Sequence, residues 1–171
     1  SDAILLGAIG WPEANLPNGD LAGGQVILGL RSGLNLYANV RPIKLYEGVK
    51  HKIHDNFTQV WSPTNVDLLV LRENTEGLYH SLLRRSALRA QGIEPDVVEE
   101  MEFGGIEGEV AWDARPISKN GSKKLIRLGF EYAKRRNGSP STGESSVTCV
   151  DKSNVTRGCQ LFRRVFHEVG E

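Results

Sequence analysis

The chain has 171 residues, 39% hydrophobic and 25% charged, and its 21 basic and 21 acidic side chains cancel to a formal net charge of zero. Those proportions describe a globular chain long enough for one core. Balanced charge gives no case for nucleic acid or an anionic membrane surface as partner, and no apolar run approaches the roughly 20 residues that span a bilayer.

An apolar strand is expected at 3–9, followed by a turn-rich stretch at 10–24. An amphipathic helix at 25–34 places Val26, Ile27, Leu30 and Leu34 in one run with Arg31. The extended segment 36–40 delivers Arg41, and Pro42 is expected to stop regular structure there. Residues 47–66 read as a polar connection longer than most loops inside a domain. His51 and His54 lie in it without a cysteine or carboxylate cluster, so they read as surface histidines rather than a metal pair.

At 67–79 a continuous apolar run, Leu68, Leu69, Val70 and Leu71, is the mark of a strand buried on both faces. It breaks into Arg72, Glu73, Asn74, Thr75, Glu76, Gly77, Leu78 and Tyr79. Basic residues (Arg84, Arg85, Arg89) and then acidic ones (Glu94, Asp96, Glu99, Glu100) follow, with Gly92 and Pro95 as breakers. Loose alternation over 97–112 predicts a hairpin whose apolar side chains are Val98, Met101, Phe103, Ile106, Val110 and Trp112.

Ser118 is a candidate N-cap for a helix with Leu125, Ile126, Gly129, Phe130 and Ala133 along one stripe, closed by Lys134, Arg135 and Arg136. The Gly/Ser/Pro stretch 137–146 reads as a flexible loop, 147–150 as a strand, and 158–169 as a helix with Leu161, Phe162, Val165 and Phe166 facing a core. Cys149 and Cys159 make no disulfide framework and read as reduced, partly buried thiols. No internal repeat is present, and the Asn-X-Ser/Thr triplets at Asn56, Asn120, Asn137 and Asn154 matter only in a secreted setting.

Three of these strands end in a cation: Arg41, Arg72 and Lys152. Open α/β sheets bind ligands at the carboxyl ends of their strands, and a guanidinium fork suits bidentate capture of carboxylates. The residues alone therefore support an anion-binding α/β protein.

The order Leu30-Arg31, Arg41-Pro42, LRENTEGLY at 71–79 and VDKSNV at 150–155 closely resembles the metal-dependent β-decarboxylating dehydrogenases, the family of isopropylmalate, isocitrate, homoisocitrate and tartrate/D-malate dehydrogenases. The resemblance runs, with gaps, from about Ala3 to the last residue. It implies a three-layer α/β fold of the isopropylmalate dehydrogenase type. Residues 1–38 would belong to the first, dinucleotide-side domain and 39–171 to the second, with a dimer arm at about 97–113. It also implies a homodimer acting on a small 2-hydroxy acid, in the cytoplasm or a mitochondrion.

By the same resemblance Arg31, Arg41 and Arg72 clamp the substrate carboxylates. Tyr79 donates the proton that quenches the enol once carbon dioxide has left. Lys152 reaches into the neighbouring subunit's site and relays the proton off the substrate hydroxyl, and Asn154 lies near the nicotinamide. A lysine in that role needs a lowered pKa, since an ordinary ammonium near pKa 10.4 is a poor base. The cofactors implied are NAD or NADP and Mg2+ or Mn2+. The family's metal-binding aspartates and dinucleotide segment have no counterpart here, so the chain is expected to be an internal stretch of a longer protein, inactive alone.

In the family, the positions three and four residues before the first clamp arginine discriminate substrates. Here they are Leu28 and Ile27. An apolar wall would leave a third carboxylate unpaired, which favours an isopropylmalate-like or a tartrate/D-malate-like acid. Gly24 stands where isopropylmalate enzymes usually carry a glutamate, which counts against the former. A second reading is a non-catalytic regulatory or assembly relative binding an anionic effector at the arginines. Retention of Tyr79 and Lys152 favours the enzyme, because an effector site needs only the clamps.

Overall fold

Seven residues of strand β1 (Ala38–Lys44) pair antiparallel with strand β4 (Asp67–Glu73), and this ribbon is the frame on which the arginines sit. The structure, a computed structural model, describes residues 2–9, 11, 13–15, 23–80, 91–93, 96–103 and 106–171. Helix α1 (Gly24–Gly33) precedes β1 and matches the amphipathic run. Its end is folded back by the Leu34 N–H to the Leu30 carbonyl and the Leu36 N–H to the Arg31 carbonyl, at 3.0 and 2.9 Å.

β1 runs straight through Pro42, which sits opposite Leu69, so the expected stop at that proline does not occur. Among the described residues β1 pairs on one side only. A proline costs no ladder bond on an open edge. The expectation that 67–71 is buried on both faces is also overturned. Residues of β4 alternate between half-buried and exposed, and Leu68 and Val70 are exposed, because the helix at 119–135 packs on one face of the ribbon only.

The connection at 47–66 is not structureless. It holds a short hairpin of β2 (His51–Ile53) and β3 (Asn56–Thr58), then a 3-10 turn at Pro63–Asn65 capped by Ser62. His54 and Asp55 make the tight turn with φ of 46 and 64°, values that two-residue hairpin loops require. His54 is exposed, and His51 stands edge-on to Trp61 with ring centroids 5.2 Å apart.

The predicted hairpin forms from β5 (Asp96–Phe103) and β6 (Ile106–Asp113), in register from Asp96 opposite Asp113 to Phe103 opposite Ile106. The side chains of Val98, Met101, Phe103, Ile106 and Trp112, the basic run at 84–89, Glu94 and Pro95 lie outside the described residues. Helix α2 (Lys119–Arg135) starts where predicted: the Ser118 hydroxyl accepts from the Gly121 N–H at 2.9 Å, satisfying one orphan donor of the first turn. Helix α3 (Arg157–Gly170) packs on α2.

The core lies between those helices. Leu125 and Ile126 of α2 and Cys159 and Val165 of α3 are buried, and the Phe130 and Phe166 rings stack at 5.5 Å. Gly158 lets α3 approach closely, since a β-carbon there would stand 2.7 Å from Ile117. Leu71 reaches across from β4 to Gly129 of α2.

Two further expectations fail. Residues 3–9 form no strand, and Ile4 and Leu5 are 59 and 100% exposed. An extended apolar segment becomes a strand only when a ladder takes up its backbone groups, and none among the described residues does so here. Residues 147–150 likewise join no ladder. A cavity of about 560 Å³ lined by β4, α2, Phe162, Phe166 and this segment separates them from β4, and hydrogen-bonded strands must lie about 4.8 Å apart.

Candidate active site

In an antiparallel pair, opposed residues share a face. Asn39 lies opposite Arg72 and Arg41 opposite Val70, so Asn39, Arg41 and Arg72 leave the ribbon on one side, with the two arginines diagonal neighbours. Arg41 is oriented by a hydrogen bond from its Nε to Asn39 Oδ1 at 2.9 Å. Arg31 arrives from the last turn of α1.

The loop after β4 is folded by its own carboxylates. Glu73 accepts from the Thr75 N–H at 2.9 and 3.0 Å, the Thr75 hydroxyl at 2.7 Å and the Glu76 N–H at 2.6 Å. Asn74 is buried and donates to the Leu36 carbonyl at 3.0 Å, while its own N–H reaches the Tyr37 carbonyl. Glu76 accepts from both the N–H and the hydroxyl of Ser118 at the start of α2, where the helix dipole favours an anion. Gly77, at φ 78°, turns the chain and donates to the Pro116 carbonyl.

This scaffold carries Tyr79 to the arginines. The guanidinium carbon of Arg72 lies 5.4 Å and that of Arg31 5.7 Å from the centre of its ring, within cation–π range. The Tyr79 phenol is held below its ordinary value, chiefly by Arg72 as hydrogen-bond donor and charge, against an opposing push from burial and with still smaller contributions from Arg31 and Arg41. Arg31, Arg41, Arg72 and Tyr79 therefore form one electrostatic group, capable of holding a small dianion beside an acidic phenol.

Ile27 and Leu28 are half-buried on α1, a turn before Arg31. Lys152 and Asn154 lie on a turn leading into α3, and both are exposed. Among the described residues, no side-chain hydrogen bond or ion pair joins either to the arginine group.

Sequence reading missed the residues that hold these places: Asn74, Glu76 and Asp151. Glu76 meets α2 across 42 positions of sequence, a pairing no local pattern signals. The side chain of Asp151 is 1% exposed and ion-pairs with Arg163 at 2.9 Å. Cys149 and Cys159 are free thiols, half-buried and buried, as expected. Burial, then the neighbouring Asp151, pushes the Cys149 thiol up to about 11. The Cys159 thiol is lowered by hydrogen bonds from Thr156 and Arg115.

No three His, Cys, Asp or Glu side chains gather to hold a metal ion among the described residues, and one exposed amide at Asn154 is not a dinucleotide cradle. Neither group fits the described residues as they stand. No helix among them is long and apolar enough to cross a membrane.

The described residues thus form an α/β chain with arginines from α1, β1 and β4 around one phenol, an arrangement chemically suited to an anionic ligand. The family model for isocitrate/isopropylmalate dehydrogenase matches residues 1–171, and the chain belongs to that family. It is 34% identical to the 3-isopropylmalate dehydrogenase of Halalkalibacterium halodurans, a match covering 100% of this chain and 40% of that protein. It is 32% identical to the 3-isopropylmalate/3-methylmalate dehydrogenase of Methanocaldococcus jannaschii, over 99% of this chain and 39% of that one. Among solved structures, isocitrate dehydrogenase from Methylococcus capsulatus shares 29% identity and superposes with a TM-score of 0.56, covering 84% of this chain and 33% of that one. The chain thus spans about 40% of the length of these curated relatives.

Proposed function

We propose that this chain is the substrate-binding part of an NAD(P)-dependent oxidative decarboxylase. Its substrate would be a 2-hydroxy dicarboxylic acid of the 3-isopropylmalate or tartrate/D-malate type. The observation that carries the reading is the convergence of Arg31 and Arg72 on the Tyr79 ring, with Arg41 on the same face. An effector site needs cations only. A phenol whose acidity is raised by those same cations is what protonation of an enol requires, because a general acid works best when its pKa approaches the operating pH.

Within that reaction, the guanidinium groups of Arg31, Arg41 and Arg72 hold the two carboxylates and keep them apart from water. Tyr79 gives the proton to the carbon that loses carbon dioxide. Lys152 of a second copy takes the proton from the substrate hydroxyl; the exposure of its side chain leaves the amine available to another chain. Ile27 and Leu28 present an apolar wall that disfavours a third carboxylate, and several relatives are named for 3-isopropylmalate. Residues 1–38 are assigned to the dinucleotide-side domain and 39–171 to the second domain. The β5–β6 hairpin serves as the arm of a homodimer, and Asn154 stands on the nicotinamide side. A divalent ion, were one bound by residues beyond those described, would supply Lewis acidity to this chemistry. Its ligands come from outside the described residues, so no step is drawn through it or through the cofactor.

The test uses the full-length protein with Mg2+, NAD+ or NADP+ and a panel of 3-isopropylmalate, D-malate, tartrate and isocitrate, following reduced cofactor by absorbance. Turnover of one of the first three is expected. Lys152→Met should cut kcat at least about 10³-fold and leave the dimer intact in sedimentation. Tight anion binding without turnover under every condition would favour the regulatory reading instead.

A further inference from the structure

Lys152 must present one long, flexible side chain to a site its own chain does not complete, and an exposed lysine on a mobile turn would lose much of its rate to misplacement. The structure gives that turn an anchor. The Asp151 carboxylate, 1% exposed, spans Lys152: its Oδ1 accepts from the Ser153 N–H at 2.6 Å. Its Oδ2 accepts from Arg163 Nε at 2.9 Å and from the Cys149 thiol at 3.3 Å.

On the far side of the turn, the Lys152 carbonyl accepts from the N–H groups of both Val155 and Thr156 at 3.0 Å. One turn earlier on α3, Gln160 Nε2 donates to the Ser153 carbonyl at 3.1 Å. Gln160 and Arg163 are three apart and therefore neighbours on one helix face. The backbone of Lys152 is thus held at both ends against a packed helix while its amine stays in solvent. The Ser153 and Arg163 contacts hold the Asp151 carboxyl well below the usual carboxylate range, so it stays an acceptor at any working pH.

We infer that Asp151, braced by Arg163, is a positioning residue for Lys152: it fixes where the amine enters the substrate site without touching substrate itself. This rests on the reading of Lys152 as the proton acceptor. Hydrogen exchange and kinetics on the full-length protein test it. Asp151→Asn and, as a separate variant that leaves the buried position intact, Arg163→Gln should each raise amide exchange at Ser153, Val155 and Thr156 about tenfold, while α2 stays protected. Each should lower kcat roughly 10²-fold with KM changed less than about threefold, and Arg163→Lys should recover most of the rate.

In a Lys152→Met background, adding Asp151→Asn should leave the residual rate unchanged within about twofold. A full additional loss in that background, or unchanged kcat despite faster exchange, overturns the inference and reduces the contact to a structural tie. Normal turnover by Lys152→Met alone would instead remove the underlying reading of the lysine, an outcome recognisable because it does not involve Asp151.

Discussion

The β1–β4 ribbon carries sequence at least as apolar as the α2–α3 pair, yet the two bury it very differently. Leu125, Ile126, Cys159 and Val165 on the helices are at most 7% exposed, whereas Ile43, Leu68 and Val70 on the outer face of the ribbon are 43, 56 and 44% exposed. The two helices close on each other, so each apolar stripe finds its complement. The ribbon has α2 on one side only, and its other face, shared by Asn39, Arg41 and Arg72, stays open. Shape is held in one region and chemistry is displayed in the other, so damage to each should register in different measurements.

The strongest break of that division is in the helix pair. Ile126→Ala should cost about 3 kcal/mol of stability in urea unfolding, from lost transfer energy plus a cavity. Below the transition it should leave the Tyr79 phenol titration where it was. A cost under about 1 kcal/mol would mean that the stripe is not a packed core.

A smaller effect is expected where the chain turns back towards the cavity. Gly138 has φ of 80°, and a β-carbon there would fall 2.2 Å from the Gly143 carbonyl oxygen. Gly143, at φ 73°, has open space around it. Gly138→Ala should therefore cost about 2–3 kcal/mol and Gly143→Ala about 1 kcal/mol. Equal costs would remove the close approach from the account.

The finest contrast is between two titrations of opposite sign. Cys149 is raised mainly by burial, and Tyr79 is lowered mainly by Arg72. With a raised folded pKa, Cys149 stabilises the fold fully below the ordinary thiol range and loses that contribution as pH climbs towards about 11. The stability difference between wild type and Cys149→Ala should hence shrink between about pH 8 and 10.5. Tyr79, depressed, contributes above the ordinary tyrosine value near 10, and the contribution fades as pH falls through its folded value. Tyrosinate absorbance should accordingly begin early in the wild type and revert in Arg72→Gln, with salt acting in the same direction. Coincident titrations in both proteins would detach the phenol from the arginines.

Where an element's stability is local, the sequence was sufficient. Ser118 as a cap, the stripe through Leu125 and Ile126, and the 97–112 hairpin were readable because capping bonds, helical spacing and paired alternation each involve near neighbours. The three arginines and Tyr79 were legible as a motif, and their convergence was legible only through the family resemblance. Tertiary structure decided what depends on distant partners. It set Arg72 across from Asn39, moored the 73–79 loop to α2 through Glu76, and carried β1 through Pro42 on an open edge. It also left 3–9 and 147–150 without the ladder their apolar character anticipates. A strand's hydrogen bonds belong to whatever lies beside it, and that neighbour is not written into the strand's own residues.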